Sequence, residues 1–200
     1  HSTSRRQRQM CIRDRVVGIP GVGKTTVITK TNDILLQSGY NATVVVFGSV
    51  MLSEAKKMGI GDRDQIRKLS LSGQQNLQNL AADYICSVKE DLVIVDTHLF
   101  VRTSSGFFPG IPQNVIQKLK PRNLILITAT PEEILTRRAK DESRNRDMVS
   151  IEEIKKELGL SISMISTISI LSGCAFEIVD NHQGSLEDTA SFIARILTKD

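Results

Sequence analysis

The run Gly18-Ile19-Pro20-Gly21-Val22-Gly23-Lys24-Thr25, followed by Thr26, leaves this 200-residue chain few folds to choose from. It carries glycine, four residues, then Gly-Lys-Thr, the spacing of a phosphate-binding loop at every fixed position. A triphosphate presents dense negative charge on oxygens that need several donors at once, and a loop wrapped around it can point successive backbone N–H groups inward. Gly21 and Gly23 permit that close approach because neither carries a Cβ. Lys24 brings a mobile positive charge for the outer phosphates and Thr25 an oxygen ligand for Mg²⁺. The helix starting there turns its positive dipole end toward the ligand. The loop therefore predicts a bound nucleoside triphosphate. A plain Gly-rich turn can match so short a pattern, so the surrounding sequence has to decide.

That sequence alternates strands and helices. Residues 24–38 read as a helix closed by Gly39, with Val27, Ile28, Ile34 and Leu35 as its apolar face. Thr43–Phe47 reads as a buried strand that Gly48-Ser49 breaks, and Val50–Met58 as helix. From Ser72 a longer helix places Leu77, Leu80, Ala81, Tyr84, Ile85 and Val88 on one stripe. Leu92–Val95, Asn123–Thr128 and Ala175–Val179 read as strands, and Thr103–Pro112 as a loop. Helices follow to about Lys120, from Pro131 to about Lys140, from Ile151 to about Leu171 and from Leu186 to Leu197. The order specifies an α/β fold of three layers, α/β/α, around a mainly parallel sheet, with ligands at the carboxyl ends of the strands.

Composition narrows the classes. A chain of this length, 40% hydrophobic, buries one core, and 4% aromatics with no Trp argues against a stacking platform for single-stranded nucleic acid. Cys11, Cys86 and Cys174 lie far apart without CxxC spacing, so neither zinc nor a disulfide framework is expected, and a reducing cytoplasm fits. No apolar run is long enough for a membrane span. The net charge of +4 belongs to His1–Arg15, where five arginines meet one acid. Arg13, Asp14 and Arg15 stand where a buried strand should lead into the loop. His1–Arg15 therefore reads as a basic leader foreign to a domain spanning residues 16–200, in place of most of its first strand. The competing reading is an RNA-binding arm.

Three further groups carry chemistry. Asp96, ending Leu92–Val95, can hold Mg²⁺ opposite Thr25 directly or through water, with His98 beside it. Arg102-Thr103-Ser104-Ser105-Gly106-Phe107-Phe108-Pro109-Gly110-Ile111-Pro112 combines an arginine fit for a monophosphate with glycines and apolar side chains for a base. Arg63 and Arg67, four apart, can grip the same phosphate. This second arginine set favours a phosphate acceptor other than water. Residues 137–147 hold Arg138, Arg144 and Arg146, which on a closing lid can neutralise charge on a transferring phosphoryl group.

Gly18–Thr26, Phe47–Met51, Arg63–Leu69, Asp96-Thr97-His98 and Arg102–Pro112 together resemble the archaeal type of adenylate kinase, over about residues 16–200. The resemblance implies the nucleoside monophosphate kinase fold with a five-stranded sheet, and Mg²⁺-dependent phosphoryl transfer between ATP and AMP giving two ADP. ATP would lie on Gly18, Ile19, Pro20, Gly21, Val22, Gly23, Lys24, Thr25 and Thr26. AMP would lie on Gly48, Arg63, Arg67, Arg102, Gly106, Pro109 and Gly110, within an acceptor region of residues 48–90 and the following loop. Lys24, Arg138, Arg144 and Arg146 would be catalytic and Thr25 and Asp96 would hold Mg²⁺. The resemblance also implies a short lid over 137–149 without zinc, and a tendency to homotrimers. No nucleic-acid or membrane partner is expected. A kinase for CMP, UMP or dTMP, and a nucleotide-switched binding protein that hydrolyses NTP, remain open alternatives.

Overall fold

Uninterrupted runs of β-branched and aliphatic residues at 43–46, 92–95 and 124–127 form strands, and helices fill most of the intervals along the chain. The computed structural model describes residues 12–103, 106–140 and 150–199. In chain order these are β1 (Ile12–Val17), α1 (Lys24–Gln37), β2 (Ala42–Val46), α2 (Phe47–Lys57), α3 (Arg63–Lys68) and α4 (Leu71–Ser87). Then come β3 (Leu92–Asp96), β4 (Phe100–Thr103), β5 (Gly106–Pro109), α5 (Gln113–Leu119), β6 (Asn123–Thr128) and α6 (Pro131–Ala139). The chain closes with α7 (Ile151–Ser172), β7 (Ala175–Asp180) and α8 (Leu186–Thr198). The main sheet has five strands in the order β2-β3-β1-β6-β7, and every pairing in it is parallel. The expected three-layer α/β/α architecture is the one observed.

Alternation along the strands divides the core in two. Val16, Ile94, Ile125 and Ile127 face α1 and α8 in one cluster. On the opposite face Val93 and Val95 pack with Ala81, Ala82 and Ile85 of α4 and Val115 of α5. Val17, Leu124 and Leu126 pack there with Ile116 and with Ile165 of α7.

The expected boundary at residue 15 falls inside β1, and Ile12–Arg15 belong to the middle strand of the sheet. Register explains how charged residues occupy that place. Asp14 shares its face with Val16 and is fully buried, accepting hydrogen bonds from the Arg122 and Asn123 backbone N–H groups and the Asn123 side chain, each at 2.9 Å. Burial raises its carboxyl above the usual range, against those hydrogen bonds. Arg13, near the start of the strand, reaches two carbonyls in the last turn of α4, that of Ile85 at 3.0 Å, which also accepts from the Val88 N–H, and that of Cys86 at 2.7 Å. Arg15 lies deeper, paired in register with Val95 and Leu124. It is fully buried, and among the described residues none of its three guanidinium nitrogens has a hydrogen-bond partner. Burial pushes its guanidinium down to about 9, with a smaller opposing Coulombic pull from Cys174 and Cys86.

Three other expectations change. The helix after β2 starts at Phe47 with no break at Gly48-Ser49, because Phe47 buries its ring beside Val50 and the chain turns directly from strand into helix. Much of the expected loop over Thr103–Pro112 is strand: Phe100–Thr103 and Gly106–Pro109 pair antiparallel, with Phe100 and Phe107 packed edge to face, their centroids 4.9 Å apart. Tyr84 of α4 is exposed, and Gln78 is buried instead, donating to the Pro109 carbonyl at 3.0 Å.

Candidate active site

Parallel strands bring their carboxyl ends to one edge, so Val17, Val46, Asp96 and Thr128 end side by side and the segments after them form the site. The phosphate loop leaves β1 at Gly18, where a side chain has no room. A Cβ there would stand 2.8 Å from the Ile127 carbonyl oxygen. Gly21 and Gly23 hold positive φ angles of 93° and 84°, which glycine alone adopts freely.

Lys24 opens α1 and is buried, its ammonium paired with the Asp96 carboxylate at the end of β3. The sequence places these two residues as a phosphate ligand and a metal ligand, and the structure joins them directly. Thr25 and Thr26 follow with exposed side chains on the first turn of the helix. His98 faces the Gly18 carbonyl through Nδ1 at 3.1 Å, and since a carbonyl only accepts, Nδ1 carries the proton.

The lid expectation places Arg138 near transferring charge. Its side chain is buried at the end of α6, with Nε donating to the Pro20 carbonyl at 2.8 Å and Nη2 paired with Glu157 of α7 at 2.8 Å. Arg144 and Arg146 lie outside the described residues, as does most of the expected lid.

On the acceptor side, Arg63 lies 3.4 Å from the Ser49 hydroxyl on the first turn of α2, which ties α3 to the carboxyl end of β2. Gly48 is exposed on that same turn. Arg67 pairs with Asp64 of its own helix at 2.7 Å. Arg102 reaches Glu153 at the start of α7 at 3.2 Å, across a groove of about 360 Å³ lined also by Thr103, Gly106, Phe107, Lys156 and Glu157. Gly106, at φ 126°, and Pro109 are exposed on the hairpin. Gly110 closes it so tightly that a Cβ would sit 2.1 Å from the His98 carbonyl oxygen. The hairpin base is thus seated on the same His98 segment that contacts the phosphate loop. No described contact joins Arg102 to Arg63 or Arg67.

Comparison with known proteins gives this geometry its relatives. The chain is 37% identical over 184 residues to an adenylate kinase of Methanocaldococcus jannaschii, covering 91% of this chain and 96% of that one. It is 39% identical over 175 residues to an adenylate kinase of Sulfurisphaera tokodaii, covering 84% and 90%. The chain belongs to the adenylate kinase family. The sequence family described as AAA domain matches residues 17–155. Among solved structures, a shikimate kinase from Acinetobacter baumannii in complex with shikimate superposes with a TM-score of 0.61 at 17% identity, over 94% of this chain and 93% of that one. At that identity the likeness is one of fold.

Within this family member three site residues escaped the sequence reading. Arg137 donates to the Val22 carbonyl at 3.1 Å and the Asn181 carbonyl at 2.9 Å. Asn181, just past β7, donates its side-chain amide to the same Val22 carbonyl at 2.7 Å. Glu157 anchors Arg138. Arg137 stands beside Arg138 in the basic run, and Asn181 follows the last strand at the ligand edge; those positions were their only signals. Among the described residues no three His, Cys, Asp or Glu side chains gather as a metal cluster, and no helix is long and apolar enough to cross a membrane.

Proposed function

We propose that this chain transfers the γ-phosphoryl group of ATP reversibly to AMP, giving two ADP. The observation that carries the reading is the Lys24–Asp96 pair beneath a glycine-rich loop, at the strand edge from which the arginine-bearing hairpin also springs, in a chain whose curated relatives are named adenylate kinase. The loop amides and Lys24 bind the donor's outer phosphates, and Lys24 leaves Asp96 for them. Arg102, with Arg63 or Arg67, binds the acceptor phosphate. Arg144 and Arg146 offset charge as it develops, and Arg138, expected to join them, backs the loop through the Pro20 carbonyl. The acceptor oxygen is already ionised near neutral pH, so no general base is needed.

The Arg102–Glu153 and Arg67–Asp64 pairs are largely exposed. Such pairs contribute only about 0–1 kcal/mol, so an incoming dianionic phosphate displaces the carboxylates at little cost. Thr25 and Asp96 offer two hard oxygen donors, a set that fits Mg²⁺ completed by phosphate oxygens and water. They are the residues that would hold it. Bound there, the ion would spread the negative charge of the phosphate oxygens. The reading places the protein in the cytoplasm, without nucleic acid or membrane partners. It keeps a homotrimer: Phe176 and Ile178 on edge strand β7, and Ile170 and Leu171 at the end of α7, are exposed apolar side chains of the kind a second copy covers.

Steady-state kinetics with each substrate varied tests the acceptor assignment. Arg102→Ala is expected to raise KM for AMP about 10-fold or more, the loss of one charge-assisted hydrogen bond, with KM for ATP nearly unchanged. A rise confined to ATP sinks the assignment. Equal or faster turnover with CMP, UMP or dTMP moves the activity to another monophosphate.

A further inference from the structure

The carbonyls of the phosphate loop are held from outside by side chains of three separate segments. Gly18 is met by His98, Pro20 by Arg138, and Val22 by both Arg137 and Asn181. A trans peptide is planar, with its carbonyl and N–H pointing opposite ways, and no peptide of the described residues is cis. Drawing the Val22 carbonyl outward therefore turns the Gly23 N–H inward, to the side where a phosphate would lie. Val22 is the carbonyl with two side-chain donors, and the shorter contact, 2.7 Å, is the Asn181 amide.

Asn181 is itself fixed. Its backbone N–H donates to Thr128 at 2.8 Å at the end of β6, its carbonyl accepts from Arg137 at 2.9 Å, and it is only 7% exposed. A Cβ at position 23 would stand 2.5 Å from the Asn181 amide nitrogen. Gly23 is thus demanded twice, by its positive φ and by the amide lying against it. Nothing in this arrangement is needed to hold the strands together, since β7 is already paired along its whole length with β6.

We infer that Asn181 is a positioning residue for the donor nucleotide, locking the Val22–Gly23 peptide so that the Gly23 N–H faces the phosphates. Arg137 supports it by holding both the Val22 and Asn181 carbonyls. The role rests on ATP occupying the loop as proposed above.

The test compares Asn181→Ala with Asn181→Asp. The aspartate is isosteric but sets a carboxylate oxygen against the Val22 carbonyl, so it repels the group that the amide attracts. The expected order is wild type, then Ala, then Asp: kcat/KM for ATP falls about 10-fold in Asn181→Ala and about 100-fold in Asn181→Asp, the scale of one preorganised donor. KM for AMP stays within about twofold, because the acceptor's contacts are elsewhere. A merely space-filling role predicts the opposite order, with the isosteric Asp nearest wild type, and that order overturns the inference. Equal losses for both substrates accompanied by a lowered Tm overturn it as well. Should Asn181→Asp fail to fold, direct titration of Asn181→Ala with ATP and with AMP decides: weakened ATP and unchanged AMP support the inference, and unchanged ATP affinity refutes it. A wild-type protein that forms no ADP from ATP and AMP defeats the functional reading instead, and ATP titration still tests Asn181.

Discussion

Arg15→Met should stabilise the protein by about 3–5 kcal/mol, a rise of about 10 °C in Tm for a chain of this size. A guanidinium in the middle of a helix-covered sheet loses its water, and here it gains no hydrogen bond from the described residues in exchange. Methionine keeps the length of the side chain and adapts to the space, so the substitution removes the buried charge without demanding repacking. The pH dependence fixes the cause. The folded-state pKa lies below the ordinary guanidinium value, at about 9. At lower pH both folded and unfolded chains carry the proton and the full penalty applies. Above about 9 the folded chain releases it, the unfolded chain keeps it, and the penalty shrinks. The stability gap between Arg15→Met and wild type, measured by urea unfolding, should therefore be constant through neutral pH and narrow above about 9. A variant no more stable than wild type means that Arg15 finds a partner in solution.

Lys24→Met should lower kcat by about a thousandfold or more, the scale of removing a principal charge on the transferring group. The same substitution strips the buried Asp96 carboxylate of its ammonium partner, at a cost of about 3 kcal/mol. Stability and activity can be separated with Lys24→Met/Asp96→Asn, in which the stranded charge is gone. That double variant should recover most of the lost stability and none of the lost turnover. Recovered turnover would make Lys24 a structural residue, and near-normal turnover in Lys24→Met alone would remove it from the reaction.

Much of this architecture was legible in the sequence because local and tertiary preferences agree. Asn123–Thr128 reads as a strand and is one at both ends, since its apolar run is buried on both faces. The loop and α1 were legible from the same glycines and lysine that shape them. Where the two levels conflict, reading stops early. Arg13-Asp14-Arg15 has no strand pattern, yet β1 extends through it because β3 supplies a ladder along all three and β6 joins from Arg15 on. The hairpin hides behind Ser, Gly and Pro residues that look like open loop. Arg102, Arg63 and Asp96 could be chosen by chemical type, but the Val22 carbonyl's partners could not. Asn181 lies 159 residues away in sequence, and only the return of β7 to the sheet brings it back. Arg138 shows the remaining gap: its charge was visible, its hold on Pro20 was not.

In the proposed reaction two phosphate-bearing ligands meet head to head, one in the glycine loop and one among the arginines. Product analysis by phosphorus NMR, with ATP, Mg²⁺ and AMP supplied together and singly, tests it directly. Two ADP for each AMP consumed, the reverse reaction from ADP alone, and almost no consumption of ATP when AMP is withheld are the expected results. Steady release of inorganic phosphate from ATP, indifferent to AMP, would contradict it.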